Sequence, residues 1–456
     1  MEAQGRAQRG HRRKRKLTVA SQSNEAGGEP VITVGPLVGT TVPDDRDRKV
    51  EVAKGSRQIV VALEQADYER VWNDPRAVRK LIDAQRVQFP QLFPDGMEQG
   101  YHLCGHLPES AKLPGVRLRQ FKLTSAPQVK YTLRPSFVAP YLTGTVDDLE
   151  HPLLLRRYGV PYAILTRIFG HNDMFWYRLE VSLGRNSLVG TTLRASGEVP
   201  LDLSADEHHT KQCGEKAFIA ITTGGGCTLG IAVTDGADEA SLTTAYSPFS
   251  EEAHDVQPDY SPATVNTDGW AATRAAWSSL FPGVVLILCF LHGFLKIRDR
   301  CRKNHELHTR VWDVFRAPTA AEFRRCLTEL ETWSSSQDLP APVRQAITKL
   351  VNHADDYAVS YAHPTGKRTS NEVDRLTNHL TRLMYSGKHL HGHLTSATMR
   401  LRGSKLIQNF LPFAERSNHP REYLSPAHRI NKQVFHRHWL HNLYLSASMR
   451  GFHTAT

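Results

Sequence analysis

Asp206, Asp268 and Glu372 are the residues whose type and setting suit chemistry on phosphodiesters. Asp268 closes the short β-branched run Val265-Asn-Thr-Asp268 and precedes Gly269-Trp-Ala, so a strand delivers a carboxylate where the chain turns into a helix. Asp206, in Leu203-Ser-Ala-Asp206-Glu-His-His, is expected at the end of the first strand of a hairpin sheet. Glu372 stands early in a helix that starts after Thr369-Ser370. Strand ends hold acidic side chains rigidly at the edge of a cleft. Three carboxylates in one small volume raise one another's pKa, and a divalent cation removes that conflict. Mg²⁺ or Mn²⁺ takes hard oxygen ligands, and two such ions about 3.5–4 Å apart activate an attacking oxygen and stabilise a leaving one. Each acid alone has a plainer reading. Asp268 suits a helix N-cap, Glu372 a solvated helix position, and Asp202 and Glu207 compete with Asp206 for first place.

A second apolar run, Val284 to Phe290, follows Phe281-Pro-Gly and ends in Cys289-Phe-Leu-His292 as another helix begins. The hairpin sheet is expected from Val199–Ala205, Lys216–Thr223 and Cys227–Val233, the last two joined by Gly224-Gly-Gly226. Those glycines are followed by a strand and no Lys-Ser/Thr, which excludes a P-loop. Upstream, 57–93 is expected to be helical, and 100–137 has the short alternation of strands. Thr145 and the acids after it suit a helix start. That helix stops near Gly159, a second follows Pro161, and a third runs from Asp173 to Leu183 beyond Gly170-His171-Asn172. This is the outline of a helix-turn-helix, with His171, Asn172, Arg178 and Arg185 as candidate DNA contacts; an ordinary αα-hairpin is the competing reading. Amphipathic helices fill 305–360.

The ordered set Asp206-Glu, Thr267-Asp268-Gly, Cys289-x-x-His292 and Ser370-Asn-Glu372-Val-Asp-Arg resembles the catalytic core of DDE transposases, in the style of Mutator-like and bacterial insertion-sequence enzymes. The resemblance covers roughly 197–385. It implies an α/β, RNase H-like core: a mixed five-stranded sheet flanked by helices, with the first acid on strand one and the second just after strand four. The third lies on a late helix beyond a helical insertion. It further implies that Asp206, Asp268 and Glu372 hold two Mg²⁺ ions, that Cys289 and His292 support the site, and that an end-recognition helix-turn-helix lies upstream. Expected boundaries are a basic tail at 1–50, a mixed domain at 51–140 and the helix-turn-helix at 141–195. The core spans 196–304 and 366–400 around an insertion at 305–365, and a basic region occupies 401–456.

The bulk composition agrees with that expectation. A formal charge of +11 favours a polyanionic partner. No apolar run reaches the ~18 residues that a membrane span needs. No apolar segment follows the basic N-terminus, and six cysteines do not suggest a disulfide framework. The expectation is a protein in the cytoplasm, associated with the nucleoid, binding double-stranded terminal repeats and target DNA as a homo-oligomer. An inactive DNA-binding regulator and an RNase H-like nuclease are the alternatives. Cys104 and His106 lack a second ligand pair. The clusters His389-x-His391-x-His393 and His436-x-His438-x-x-His441 give no clear tetrahedral set, and are expected at a polar surface or on DNA backbone.

Overall fold

Ile59-Val-Val61, expected to open a helical stretch, forms a strand instead in the computed structural model, which describes residues 56–452. The tail expected at 1–50 lies outside the described residues. Three adjacent β-branched residues favour extended backbone, and all three are buried. This strand, β1 (Gln58–Val61), is followed by α1 (Tyr68–Trp72) and α2 (Pro75–Gln88), the latter capped by the Asp74 side chain on the Arg76 N–H. The expected alternation then yields β2 (Tyr101–His106), β3 (Arg119–Leu123) and β4 (Lys130–Pro135). The sheet order is β1-β4-β3-β2, with β1 parallel to β4 and the other pairs antiparallel.

Four helices follow: α3 (Val146–Arg157), α4 (Tyr162–Phe169), α5 (Asp173–Gly184) and α6 (Leu188–Thr192). Thr145 and Asp148 form a reciprocal capping box at α3. Asn172 caps α5 by accepting the Phe175 N–H at 2.8 Å.

The second sheet carries the candidate chemistry. Its strands are β5 (Asp202–Gln212), β6 (Glu215–Gly224) and β7 (Cys227–Thr234), then β8 (Thr264–Thr267) and β9 (Val285–Leu288). α7 (Glu239–Val256) connects β7 to β8, α8 (Ala271–Leu280) connects β8 to β9, and α9 (Phe290–Arg300) leaves β9. The strand order is β7-β6-β5-β8-β9; β5, β6 and β7 pair antiparallel, while β5, β8 and β9 run parallel. β5 corrects the sequence expectation. It passes through Asp206 and continues to Gln212, because β6 pairs with it from Leu203 to Gln212.

Beyond α9 come α10 (His305–Arg316), α11 (Ala320–Ser335), α12 (Ala341–Asn352) and α13 (Ala354–Ala358), which share one apolar cluster with α9. The chain then returns to the sheet through α14 (Asn371–Gly387), α15 (Leu394–Phe410), α16 (Pro426–Asn431) and α17 (Trp439–Ser446). A single larger cluster joins the first sheet, α3 to α6, one face of β6 and β7, and α14 to α17. The described chain is therefore mixed α/β, with seventeen helices and two mixed sheets.

Candidate active site

The register of the parallel strands sets the first two acids side by side. Ser204 pairs with Asn266, so Asp206 on β5 and Asp268 just past β8 stand at the same level. Thr267 pairs with Leu288, which brings Cys289 to the next position in that row. Asp268 follows a strand end because Gly269 turns with φ +89°, where a side chain is strained and a Cβ would strike Leu288. Asp268 is not the cap residue of α8, which is Trp270; its carboxylate accepts the Trp270 N–H at 2.8 Å. Glu207, one residue on, faces the other side of β5. There it accepts Tyr246 Oη–H at 2.6 Å and Thr273 Oγ1–H at 2.7 Å, so it does not compete with Asp206. Asp202 accepts Thr264 Oγ1–H at 2.6 Å at the far end of the strand.

The expected third acid does not reach this row. Glu372 accepts the Gly226 N–H at 2.9 Å and pairs with Lys367. Gly226 lies in the β6–β7 turn, past Gly224, which pairs with Leu203. Three residues separate that level from Asp206, roughly 10 Å along the strand. The acid of α14 that bears on Asp206 is Asp374. Two residues turn a helix by about 200°, so positions 372 and 374 face opposite ways. Ser370 fixes the geometry. Its N–H donates to Cys289 Sγ at 3.1 Å, the thiol lies 3.3 Å from its hydroxyl, and that hydroxyl donates to Asp374 Oδ2 at 2.9 Å. The segment before it is held by buried Asn266, whose amide donates to Lys367 O at 2.9 Å.

Charge is concentrated here. Burial pushes the Asp206 carboxyl up to about 6; nearby His292 opposes this, while Asp268 and Asp374 add to it. Burial likewise lifts Glu207 to about 7, against its hydrogen bonds to Tyr246 and Thr273. The interaction with the neighbouring Cys289 sulfur is the main cause that raises His292 to about 9, supported by Asp206 and Asp268 and opposed by burial. Burial alone would raise the Cys289 thiol, but His292 and Ser370 bring it below its ordinary value. His292 Nδ1 is buried with no hydrogen-bond partner. Three carboxylates repelling across a half-buried row are the donor set that a hard divalent ion fits.

A cleft of about 400 Å³ opens from Asp268, Cys289 and His292 toward Lys296, Arg300 and Lys349. Arg274 on its wall is paired with Asp356 at 3.1 Å. The upstream candidates are more occupied. The His171 ring stacks on Phe175 at 3.9 Å, the Asn172 side chain is spent on its cap, and Arg185 donates to Tyr141 Oη at 3.1 Å. Arg178 is exposed on α5.

Sequence reading missed Asp374 although it stands within the quoted motif, because helical phase decides between it and Glu372. It also missed a meeting of Glu64, His436 and His441, whose partners lie at opposite ends of the chain. His441 is buried, contrary to the surface position expected for its cluster, whereas His389, His391 and His393 are exposed. No protein-family model matches the chain, and no curated protein matches it.

Proposed function

We propose that the chain is a metal-dependent DDE-type transposase with an RNase H-like core, in which Asp206, Asp268 and Asp374 hold the divalent ions. The supporting observation is the level row of Asp206, Asp268 and Cys289 on adjacent parallel strands, with Asp374 brought against it by α14. The order of parts also agrees with the resemblance: an acid on the first strand, another after the fourth, a helical insertion, then an acid on a later helix.

In this reading the ions, when bound, supply Lewis acidity to the scissile phosphate and lower the pKa of the attacking hydroxyl. The chain contributes position and field. Its three carboxylates fix the ions, His292 offers positive charge beside them, and Lys296, Arg300 and Lys349 draw the DNA backbone along the cleft. Arg178, on the exposed side of α5, is the best placed of the upstream residues for DNA.

A nuclease without end specificity is the second reading. It is favoured by one observation: α5 is built into the main core, pressed against α15, and does not stand in a separate reading domain.

The test is cleavage of labelled double-stranded DNA in Mg²⁺. Asp374→Asn is expected to lose at least about 100-fold in rate, the upper end for loss of a mere outer-shell partner. Glu372→Gln is expected to retain cleavage. The reverse pattern would return the third ligand to Glu372, and full activity in Asp206→Asn or Asp268→Asn would remove the site. Equal cleavage of unrelated duplexes would select the nuclease.

A further inference from the structure

Three ligand atoms converge outside the acidic row, beside the first sheet. Glu64 follows β1, and His436 and His441 lie before and within α17. One ligand atom from each lies within 4.8 Å of the others. His436 Nε2 sits 2.8 Å from Glu64 Oε1, His441 Nε2 is 3.9 Å from Glu64 Oε2, and the two imidazoles stack at 4.5 Å.

The hydrogen bonds behind the rings say which atoms are free. Ser136 Oγ accepts the Leu63 N–H at 3.2 Å, lies 3.3 Å from Leu63 O, and is 2.8 Å from His441 Nδ1. All four groups are satisfied if the serine donates to Leu63 O and accepts from His441 Nδ1–H. The His441 Nε2 lone pair then faces a carboxylate with no hydrogen between them. The side chain that carries it is only 5% exposed. A neutral imidazole lone pair aimed at a carboxylate, on a ring whose other nitrogen is fixed from behind, is the arrangement of a metal-binding histidine.

We propose that Glu64, His436 and His441 form a Zn²⁺ site that clamps α17 to the N-terminal sheet. Two imidazole nitrogens and one carboxylate suit this borderline ion. Glu64 is 56% exposed, which leaves the fourth position to water. Seating the ion requires one change. His436 Nδ1 now accepts the His438 N–H at 3.0 Å, so its Nε2 carries the proton. The ring takes its other tautomer, Nε2 turns its lone pair to zinc, and the half-buried His438 N–H finds water. That exchange gives up two hydrogen bonds, from the His438 N–H to His436 Nδ1 and from His436 Nε2–H to Glu64, in return for the bonds of the imidazole and the carboxylate to zinc. The site does not depend on the acidic row and would stand if the transposase reading failed.

The experiment is titration of the metal-stripped full chain with Zn²⁺ alone, together with Co²⁺ spectra and thermal unfolding. The wild type is expected to take up zinc at this site and to unfold at higher temperature with it. Glu64→Gln changes an exposed residue and leaves the fold in place; it is expected to lose one equivalent or bind it about 100-fold more weakly. Asp268→Asn is expected to retain that equivalent, and its Co²⁺ spectrum to show nitrogen and oxygen ligands without a thiolate charge-transfer band. No zinc uptake, or uptake and stabilisation unchanged in both Glu64→Gln and His436→Gln, would overturn the proposal.

Discussion

Ser370 links Cys289 to Asp374 across one small residue. Its amide and hydroxyl meet the Cys289 sulfur, and the same hydroxyl donates to Asp374. Hydrogen bonds to a metal-ligating carboxylate orient it, and their loss typically costs 10–100-fold in affinity or activity. Ser370→Ala is therefore expected to raise the Mg²⁺ concentration for half-maximal cleavage by about 10-fold or more, with a smaller effect on rate at saturating metal. A magnesium titration of cleavage rate measures this, and an unchanged midpoint would leave the serine a merely structural role. At this scale the sequence was readable where a residue's setting is local. Asp268 follows a β-branched strand and precedes the glycine that its turn requires, and Cys289 and His292 fall at the matching strand end. Asp374 was not readable, because a two-residue difference in helical phase has meaning only once the face packed on β5 is known.

In the second sheet β6, β7 and β9 are legible as apolar runs bounded by turn residues, and β8 by its β-branched Thr264, Val265 and Thr267 before Asp268-Gly269. The sequence predicts a shorter β5 because its second half, Glu207-His-His-Thr-Lys-Gln212, is polar; pairing with β6 overrides its composition. β1 is hidden beside the helical pattern that follows it, because four residues give too little pattern to separate one period from another. The crossing of α5 and α15 was equally invisible. Gly184 and Gly403 meet there, and a Cβ on Gly184 would strike the Met399 carbonyl, while one on Gly403 would strike that of Glu180. Neither gap is bounded by a flexible side chain. Gly184→Ala is expected to lower stability in urea denaturation by at least about 1–3 kcal/mol, the range for overpacking. His379 on α14 is buried, and burial, Lys405, Arg157 and Arg382 hold its pKa well below 6.5. Since the folded value lies below the unfolded one, the stability it contributes is present above pH 6.5 and is lost as the pH falls through the lower folded value. The urea midpoint of the wild type is expected to fall more steeply between pH 6.5 and about 5 than that of His379→Gln.

For the whole molecule, the formal charge of +11 says only that a polyanion is favoured, and the proposed function puts its path along one cleft. Lys296, Arg300 and Lys349 come from α9 and α12, far apart in the chain, and meet on one cleft that begins at Asp268. Lys296, Arg300 and Lys349 are exposed, whereas Arg274 on the same wall is committed to Asp356. Cations that neutralise DNA phosphates release counterions, so each contact contributes about one unit to the dependence of log affinity on log salt concentration. Single changes of Lys296, Arg300 or Lys349 to Gln are expected to lower that slope by about one each, and to weaken binding alike for all sequences. Arg274→Gln is expected to leave the slope nearly unchanged, since its guanidinium already has a carboxylate partner. Affinities measured from low to moderate salt on two unrelated duplexes separate these outcomes. Three unaltered slopes would mean that the nucleic acid does not run along this cleft, and the path from the basic wall to the acidic row would have to be abandoned.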